Sequence, residues 1–240
     1  MRGLTRRGLW ALGAVVLAAW PAAADEALLR RALGAFVRAA EEFRLEAIPD
    51  LYEGGYARIS VQARRVVLTE GMRVDEVAIR LVGVSLDVEA LRAGTLRVLD
   101  FRDSAMQVRV LLRSLQEYFN ASSPFGDIRL WAENGYLHGT GTVLFNGRPT
   151  AMRMKGFFAA SGATDVYFYF DYLHANGWPL PTSVIRDLER AINPILHQRQ
   201  WPVTFKIRTV RLDAAALTVS TQADGTCAAC GGGPVPSYAP

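Results

Sequence analysis

The chain has 240 residues, of which 50% are hydrophobic and 10% aromatic, and its formal charge at pH 7 is +4. This length and apolar content suffice for one good-sized domain with a buried core. The small charge excludes broad binding to nucleic acid, which requires a protein to neutralise many phosphates.

The first 24 residues predict an export signal. Arg2, Arg6 and Arg7 precede an apolar run from Gly8 to Trp20, and residues 22–24 offer an A-x-A cleavage site. The run is shorter than the roughly 20 residues that a membrane span needs. Removal of the signal leaves 24 Lys+Arg against 23 Asp+Glu, a formal charge of +1. The paired arginines leave both the twin-arginine route and the general secretory route open.

A helical period continues from about Glu26 to Ile48 and predicts one amphipathic helix. Pro49 and the pair Gly54-Gly55 end this pattern. The apolar stripe needs a partner surface, and it consists of Leu29, Leu33, Phe36, Ala40 and Phe43.

Apolar and polar residues then alternate in several segments, which predicts strands with one buried face. Short helices are predicted between them at Val88 to Arg92 and at Leu112 to Phe119. The alternating apolar residues are Ile59, Val61 and Ala63; Val77, Ile79 and Leu81; Leu96 and Val98; and Met106, Val108 and Val110.

The second half of the chain predicts a β-meander. Strands around Ile128 and Leu137–Phe145 lead to Asn146-Gly147, a strong hairpin dipeptide, and then to Met152 and Met154. The following run, Asp165–Leu173, is aromatic on both faces. That pattern suits either a central core strand or a strand that flanks a bound apolar molecule.

A fourth helix is predicted after a turn at Asn176-Gly177, with Thr182 or Ser183 as its N-cap. Its inward residues are expected to be Val184, Leu188, Ile192 and Ile195. Two more strands are expected, one carrying Val203, Phe205 and Ile207 and the last carrying Leu217 and Val219.

These elements predict an α+β fold in which a long, strongly twisted antiparallel sheet wraps around a helix and encloses an elongated apolar interior. The predicted organisation is a signal peptide over residues 1–24, one domain over 25–222 and a disordered Gly/Pro-rich tail over 223–240. Cys227 and Cys230 in this tail predict a local disulfide or two idle thiols.

The residues that catalysis or metal binding requires are scattered. His138, His174 and His197 are far apart and lack zinc-ligand spacing, and no nucleophile elbow is present. Gly139–Thr142 lacks the rest of a phosphate loop and instead predicts a strand that a backbone or ligand approaches closely. We therefore predict no metal, no cofactor and no catalytic residue.

The scattered carboxylates leave a hydrolase as one alternative. Asp100 and Asp103, with Glu70, Asp75 and Glu76, would have to meet in one cleft to act as an acid and a base. Charges at strand ends usually protect sheet edges. The sequence therefore predicts that the protein is not an enzyme.

The C-terminal half has a recognisable order of features. A strand is followed by Ala175–Pro181, a helix ending at Asn193–Ile195, then Trp201-Pro202 and a strand pair from Phe205 to Val219. The N-terminal half agrees through Gly83-Val84, Leu86, the segment Leu91–Phe101, and Val108 and Val110. From about Ile59 to Ser220, the chain resembles the LmeA-type phospholipid-binding family.

This resemblance implies an exported lipid-binding protein with a TULIP-like fold, a half-tube whose curved sheet forms an elongated apolar groove around a helix. Such a protein would hold phospholipid acyl chains for envelope lipid transport or maintenance in the periplasm or cell envelope. No catalytic residues accompany the resemblance, and the tail with its cysteines has no counterpart in it. The alternative is a non-catalytic structural or interaction module of the envelope with a fully packed core.

Apolar side chains on one face of the strands are the groove candidates, although each would also serve as ordinary core. They are Val77, Ile79, Leu81, Val108, Val110, Met152, Met154, Phe168, Phe170, Phe205 and Ile207. The expected partner is a phospholipid or another acyl lipid, with peripheral membrane contact and no nucleic acid. The sequence leaves the lipid's identity, the direction of transport and the oligomeric state open.

Overall fold

The computed structural model describes residues 22–34, 37, 39–67, 72–122, 125–145, 148–199 and 201–223. The helices are α1 (Ala22–Gly34), α2 (Val88–Arg92), α3 (Leu112–Ser122) and α4 (Thr182–Ile192). The strands are β1 (Glu42–Pro49), β2 (Gly55–Val67), β3 (Arg73–Leu86), β4 (Val98–Leu111), β5 (Phe125–Glu133), β6 (Tyr136–Phe145), β7 (Arg148–Ser161), β8 (Asp165–Ala175), β9 (Trp178–Pro179), β10 (Thr209–Leu212) and β11 (Ala216–Ser220).

The strands form two open antiparallel sheets. The six-stranded sheet has the order β1-β2-β3-β4-β11-β10, and the five-stranded sheet has the order β5-β6-β7-β8-β9. The predicted α+β class with long antiparallel strands is confirmed, and the strands are distributed over two sheets. Within the described part of the chain, no helix is long and apolar enough to cross a bilayer.

Alternation explains which face of each strand is buried. In β3, Val77 and Leu81 are buried, while Glu76 on the other face is exposed. The same face continues across the sheet, because Val77 pairs with Ala63 of β2 and with Val108 of β4. The six-stranded sheet therefore presents one continuous apolar face to the interior.

Helix α3 covers one edge of the five-stranded sheet, the free edge of β5. Ile128 donates its backbone N–H to Asn120 Oδ1 at 2.9 Å, and Asn120 Nδ2 donates to the Ile128 carbonyl at 3.4 Å. Leu130 donates its N–H to Gln116 Oε1 at 3.0 Å. Residues four apart on a helix lie about as far apart as residues two apart on a strand, so the two side chains match the strand repeat.

Side chains of helix α4 and of the residue after it likewise form hydrogen bonds with the free backbone edge of β8. Asn193 accepts from the Phe168 N–H and donates to the Phe168 carbonyl, both at 2.7 Å. Glu189 Oε1 accepts from the Phe170 N–H at 2.9 Å. Because these groups are paired with side chains, the edge is closed to another strand.

The predicted helix from Glu26 to Ile48 is wrong beyond its first half. Helix α1 ends at Gly34, and Glu42–Pro49 forms an edge strand paired with β2. Phe43, Leu45 and Ala47 alternate with charged residues, so this segment also satisfies the period of a strand. The partner strand decides between the two periods, and a short sequence window does not contain it.

The start of α4 also differs from the prediction. Pro181 is the N-cap residue, and no side-chain hydrogen bond caps the helix. Val184 is exposed, whereas Ile192 is buried inside the helix and Ile195 is buried beyond its end.

The strand predicted from Val203 onward does not form. Val203, Phe205 and Ile207 are buried at alternate positions, but the strand begins only at Thr209. The predicted alternation of buried residues is confirmed, whereas the predicted strand pairing is wrong. The backbone N–H groups that would otherwise bond to a strand partner have other acceptors. The Phe205 N–H donates to the Gln198 side chain, and the Ile207 N–H donates to the Ala163 carbonyl.

Other predicted elements are confirmed. Helices α2 and α3 occupy Val88–Arg92 and Leu112–Ser122, and Phe145 pairs with Arg148 across the predicted hairpin turn. The dipeptide at 146–147, most of the predicted signal peptide, Phe36, and the tail with Cys227 and Cys230 lie outside the described residues. Strand β8 is not central, because only the two-residue β9 pairs beyond it.

Candidate functional site

An apolar interior cavity lies between the six-stranded sheet, helix α1 and the segment that follows Trp201. Its volume is about 60 Å³. Every side chain that lines it is apolar: Leu29, Leu33, Val37, Ile59, Val61, Val77, Ile79, Leu81, Leu86, Leu96, Val98, Trp201, Pro202, Val203 and Phe205. A space without a polar partner favours hydrocarbon over water.

Strands β2 and β3 form the floor of the cavity. Ile59 pairs with Leu81 and Val61 pairs with Ile79, so their side chains lie side by side on the inner face. Ile59, Val61 and Ile79 are β-branched, so their χ1 angles are restricted and their side chains have few alternative positions. The floor is therefore fixed by the sheet register.

The segment from Trp201 to Phe205 forms one wall, and Gln198 fixes it. Gln198 is 3% exposed, and its Oε1 accepts from the Phe205 N–H at 2.6 Å. Its Nε2 donates to the carbonyls of Phe205 and Thr164, at 3.0 and 2.9 Å. The buried amide thus ties this wall to the turn that precedes β8.

Helix α1 forms the opposite wall through apolar packing. Leu29 and Ala32 are completely buried, and the Arg30 guanidinium lies 5.4 Å from the centroid of the Phe43 ring. The Arg30 side chain is also paired with Glu26 within the helix itself. This wall is held by apolar packing, which is non-directional, whereas the hydrogen bonds of Gln198 hold the Trp201–Phe205 wall.

The structure separates the groove candidates into three groups. Val77, Ile79, Leu81 and Phe205 line the interior cavity. Val108, Val110 and Ile207 are buried in the same core without lining it.

The remaining candidates belong to the five-stranded sheet. Met152 and Met154 line a pocket of about 10 Å³, too small for a ligand. Phe168 lies at the centre of a ring cluster, with centroids 5.4 Å from Phe119 and 5.0 Å from Phe170. This interior is filled by the protein's own side chains.

Sequence reasoning missed part of the cavity wall. Leu29 and Leu33 were placed on a stripe that needed a partner, but nothing in the sequence named the partner as β2 and β3. Nothing in the sequence predicts that Trp201 and Pro202 lie against the cavity, although both line it. Only the folded chain brings residues 29 and 201 to the same space.

A charged cleft of about 420 Å³ opens at the end of the six-stranded sheet where α3 begins. Buried Asp75 accepts from the Leu111 N–H at 2.7 Å and lies 3.8 Å from Arg113. The other charged groups form exposed pairs, which contribute little to stability: Glu41 with Arg65, Glu42 with Arg64, and Glu76 with Arg109. The cleft is a network of neutralised charges.

The carboxylates of the hydrolase alternative are not brought together. Asp103 of β4 pairs with Val82 of β3, which lies six residues beyond Glu76 on the same strand. Asp103 and Glu76 are therefore about 20 Å apart along the sheet. Asp103 contacts Arg80, and Glu70 lies outside the described residues. Among the described residues, no group of His, Cys, Asp and Glu could hold a metal ion.

Gly139 and Gly141 lie on β6 where neighbours approach closely, as the sequence predicted. A Cβ on Gly141 would lie 2.6 Å from the Asp127 carbonyl oxygen, and one on Gly139 would lie 2.7 Å from the Met154 side chain. Packing within the five-stranded sheet therefore accounts for these glycines.

The model of the LmeA-like phospholipid-binding family matches residues 44–222. The match spans well over half of the chain, and the chain belongs to this family. No curated protein and no solved structure matches it.

Proposed function

We propose that this protein is exported and that it holds the acyl chains of a phospholipid in the interior cavity, for lipid transport or maintenance in the periplasm or cell envelope. The observation that carries the proposal is the wholly apolar lining of the cavity under the six-stranded sheet. Membership of a phospholipid-binding family supports it. Burial of acyl chains contributes about 0.8 kcal/mol per methylene, so an apolar wall suffices for affinity.

An acyl chain requires more space than the cavity has in this state. An engineered apolar cavity of about 150 Å³ binds benzene, whereas this one has only about 60 Å³. The wall formed by α1 would have to move outward, because it rests on apolar contacts, whereas Gln198 holds the opposite wall by three hydrogen bonds. We therefore propose that α1 is displaced when lipid enters.

Export is supported by the charged and apolar pattern of residues 1–24. N-terminal sequencing of the protein from the cell envelope should start near Asp25. Recovery of the intact chain, beginning at Met1, from the cytoplasm would contradict this part of the proposal.

Lipid extraction tests the cavity directly. The gently purified protein is extracted with organic solvent, and the extract is analysed by mass spectrometry for acyl lipids in proportion to protein. We expect a phospholipid with the unaltered protein. Ile79→Trp, which places a large ring in the cavity, should lower the lipid content severalfold.

Val82→Trp is the matched control, because Val82 lies on the same strand but on the opposite face from Ile79. This variant should retain its lipid. If Ile79→Trp melts at the temperature of the unaltered protein and keeps its full lipid content, acyl chains do not occupy this cavity.

A second candidate function follows from the small cavity volume, about 60 Å³. The protein would then be a non-catalytic structural or interaction module of the envelope, with an interior filled by its own side chains. Repeated absence of acyl lipid from the unaltered protein, with no uptake from added phospholipid, would favour this candidate.

A further inference from the structure

The outer face of the five-stranded sheet carries a group of rings. Ile128, Leu130, Met152 and Met154 are buried on the inner face, so their chain neighbours point outward. Six outward residues on four adjacent strands form what we call the aromatic face: Trp131, Tyr136, His138, Phe157, Tyr169 and Tyr172.

The rings of the aromatic face contact one another across strands. Trp131 stacks on His138 with centroids 5.5 Å apart and planes 14° apart. Phe157 lies 5.7 Å from Tyr169 and 6.3 Å from Tyr136. Trp131 and Phe157 nevertheless remain 37% and 40% exposed. A contiguous exposed group of large rings marks an interaction surface.

A row of basic residues borders the aromatic face. Arg129 pairs with Thr140, which pairs with Arg153, which in turn pairs with His174. The two arginines are thus two strands apart, about 10 Å. Both are exposed, and neither forms an ion pair with a described carboxylate.

Lys155, in the next row, is already neutralised. Its Nζ lies 2.8 Å from Asp171 and 3.9 Å from the centroid of the Tyr136 ring. The hydrogen bond to Asp171 raises the pKa of Lys155 above its usual value. The unpaired positive charge of this surface therefore resides on Arg129 and Arg153.

We propose that the aromatic face docks the protein on the surface of a phospholipid bilayer, with Arg129 and Arg153 bound to lipid phosphates. Tyr and Trp rings prefer the depth of the headgroups, where one end of the ring is apolar and the other is hydrated. Guanidinium groups bind phosphate oxygens in a bidentate fork. Membership of a phospholipid-binding family implies that the protein meets such a surface, but this docking does not depend on lipid in the interior cavity.

The ring geometry favours a bilayer over a glycan or a nucleobase. Sugars and bases stack on an open aromatic face, but the Trp131 ring is stacked on His138, and Tyr167 is stacked on Tyr169 with planes 19° apart. In these two pairs the rings cover one another's broad sides, which leaves their edges and polar tips for insertion between headgroups.

The carboxylates of Asp127 and Glu133 are exposed on the same side of β5, so the surface as a whole is close to neutral. We therefore expect ring insertion to contribute more to binding than net attraction. The arginines should add a smaller contribution that weakens with salt.

The test is sedimentation of the exported protein with vesicles of phosphatidylcholine, alone or mixed equally with phosphatidylglycerol. The triple variant Trp131→Thr/Phe157→Thr/Tyr169→Thr keeps strand-forming residues and should bind at least about tenfold more weakly. The variant Arg129→Gln/Arg153→Gln should lose severalfold affinity, chiefly for the mixed vesicles at low salt.

Matched controls lie on the six-stranded sheet. Leu51, Tyr52 and Leu99 are exposed large residues near its α2 end, and their triple change to Thr should leave binding unaltered. Arg44→Gln/Arg73→Gln removes two exposed strand charges elsewhere and should also have no effect. If the Leu51 triple variant loses binding while the aromatic-face variant keeps it, the proposal is overturned.

A second measurement does not alter the aromatic face. With Trp178→Phe and Trp201→Phe, the exported chain keeps Trp131 alone, and its fluorescence should be quenched by vesicles of brominated phosphatidylcholine. Absence of quenching at saturating vesicle concentration would overturn the proposal even if the triple variant does not fold.

Other occupants would be recognised in the same experiments. If the triple variant keeps its vesicle binding but loses retention on insoluble chitin, the aromatic face binds a glycan and the proposal is overturned. If the triple variant keeps its vesicle binding but loses a dimer seen by sedimentation velocity, the aromatic face binds a second copy and the proposal is likewise overturned. The triple variant should keep its extracted lipid, and Ile79→Trp should keep its vesicle binding, so failure of the docking proposal is distinguishable from failure of the cavity proposal.

Discussion

The two sheets enclose interiors of different kinds. Under the six-stranded sheet the lining is mainly aliphatic, and a cavity of about 60 Å³ remains. Under the five-stranded sheet, rings around Phe168 interlock, and the pocket beside Met152 and Met154 is only about 10 Å³. Equally apolar faces can therefore be hollow or solid.

The difference lies in what packs against each sheet. Aromatic rings and glycines fill the five-stranded interior, since Gly156 allows the Phe168 ring to lie against the backbone. Branched aliphatic side chains on β2 and β3 face a short helix instead. Dense packing specifies a single arrangement of the five-stranded interior, whereas the less tightly filled interior beside α1 allows a second arrangement.

The largest effect is expected from Phe168→Ala, which empties the solid interior. Phe168 is fully buried and contacts three other phenylalanine rings. The free energy of unfolding in urea should fall by about 3–5 kcal/mol. Phe157→Ala, on the outer face of the neighbouring strand, should cost clearly less, and equal costs would mean that the interior is not packed as described.

Loss of the edge pairing of β8 should come next. Asn193→Ala leaves the N–H and carbonyl of Phe168 without their partner, at a cost of about 2 kcal/mol or more in urea unfolding. Asn120→Ala should have a comparable effect at the β5 edge. Thr182→Ala, at the exposed start of α4, should change little, and a similar loss there would argue against the edge explanation.

Gly156→Ala tests the close packing of the five-stranded sheet. The added Cβ would lie 2.4 Å from the Phe168 ring and 2.4 Å from the Tyr169 carbonyl oxygen. Thermal unfolding should show a destabilisation of about 1–3 kcal/mol. At Gly34 a Cβ meets nothing within 4 Å, so Gly34→Ala is the control and should be neutral or slightly stabilising.

The turn between β10 and β11 gives a smaller, pH-dependent effect. Backbone N–H groups of Ala215 and Ala216 donate to Asp213 and lower the pKa of its carboxyl below the usual 3.8. Asp213→Ala should cost about 1 kcal/mol at neutral pH.

The sign of the pH dependence follows from the lowered pKa. The contribution of Asp213 is complete above its unfolded-state pKa and is lost as pH falls through the folded-state value. The stability difference between the two proteins should therefore begin to shrink as the pH falls below 3.8 and should disappear only below the lowered folded-state pKa. A difference that persists undiminished in stronger acid would show that the charge of Asp213 is not responsible.

The smallest effect compares one added methyl group in the two interiors. Val61 lines the cavity, so Val61→Ile should stabilise the protein by about 0.5–1 kcal/mol in urea unfolding. Val166 is completely buried and lines neither the cavity nor the pocket beside Met152, so Val166→Ile should destabilise the protein. If both changes have the same sign, the two interiors do not differ in packing.

Much of the fold was predictable because local sequence patterns indicate which residues form strands and which of their faces are buried. Alternation placed Val77, Ile79 and Leu81 on one inner face, and Asn146-Gly147 placed a hairpin correctly between β6 and β7. The segment around Phe43 failed because its apolar residues fit two periods, and the pairing with β2 decided between them. The strand predicted over Val203 to Ile207 failed because the side chain of Gln198, seven residues before Phe205, replaces a strand partner.

By itself, the sequence determined the class of fold, the membership of a phospholipid-binding family and the apolar character of the interior, since alternation and short motifs are properties of neighbouring residues. Only the tertiary structure decided that Leu29, Val61 and Trp201 share one cavity, that the rings around Phe168 leave no such space, and that Trp131 and Tyr169 join one exposed face. The physical reason is that packing and exposure depend on strand order and register, which bring together residues far apart in the chain.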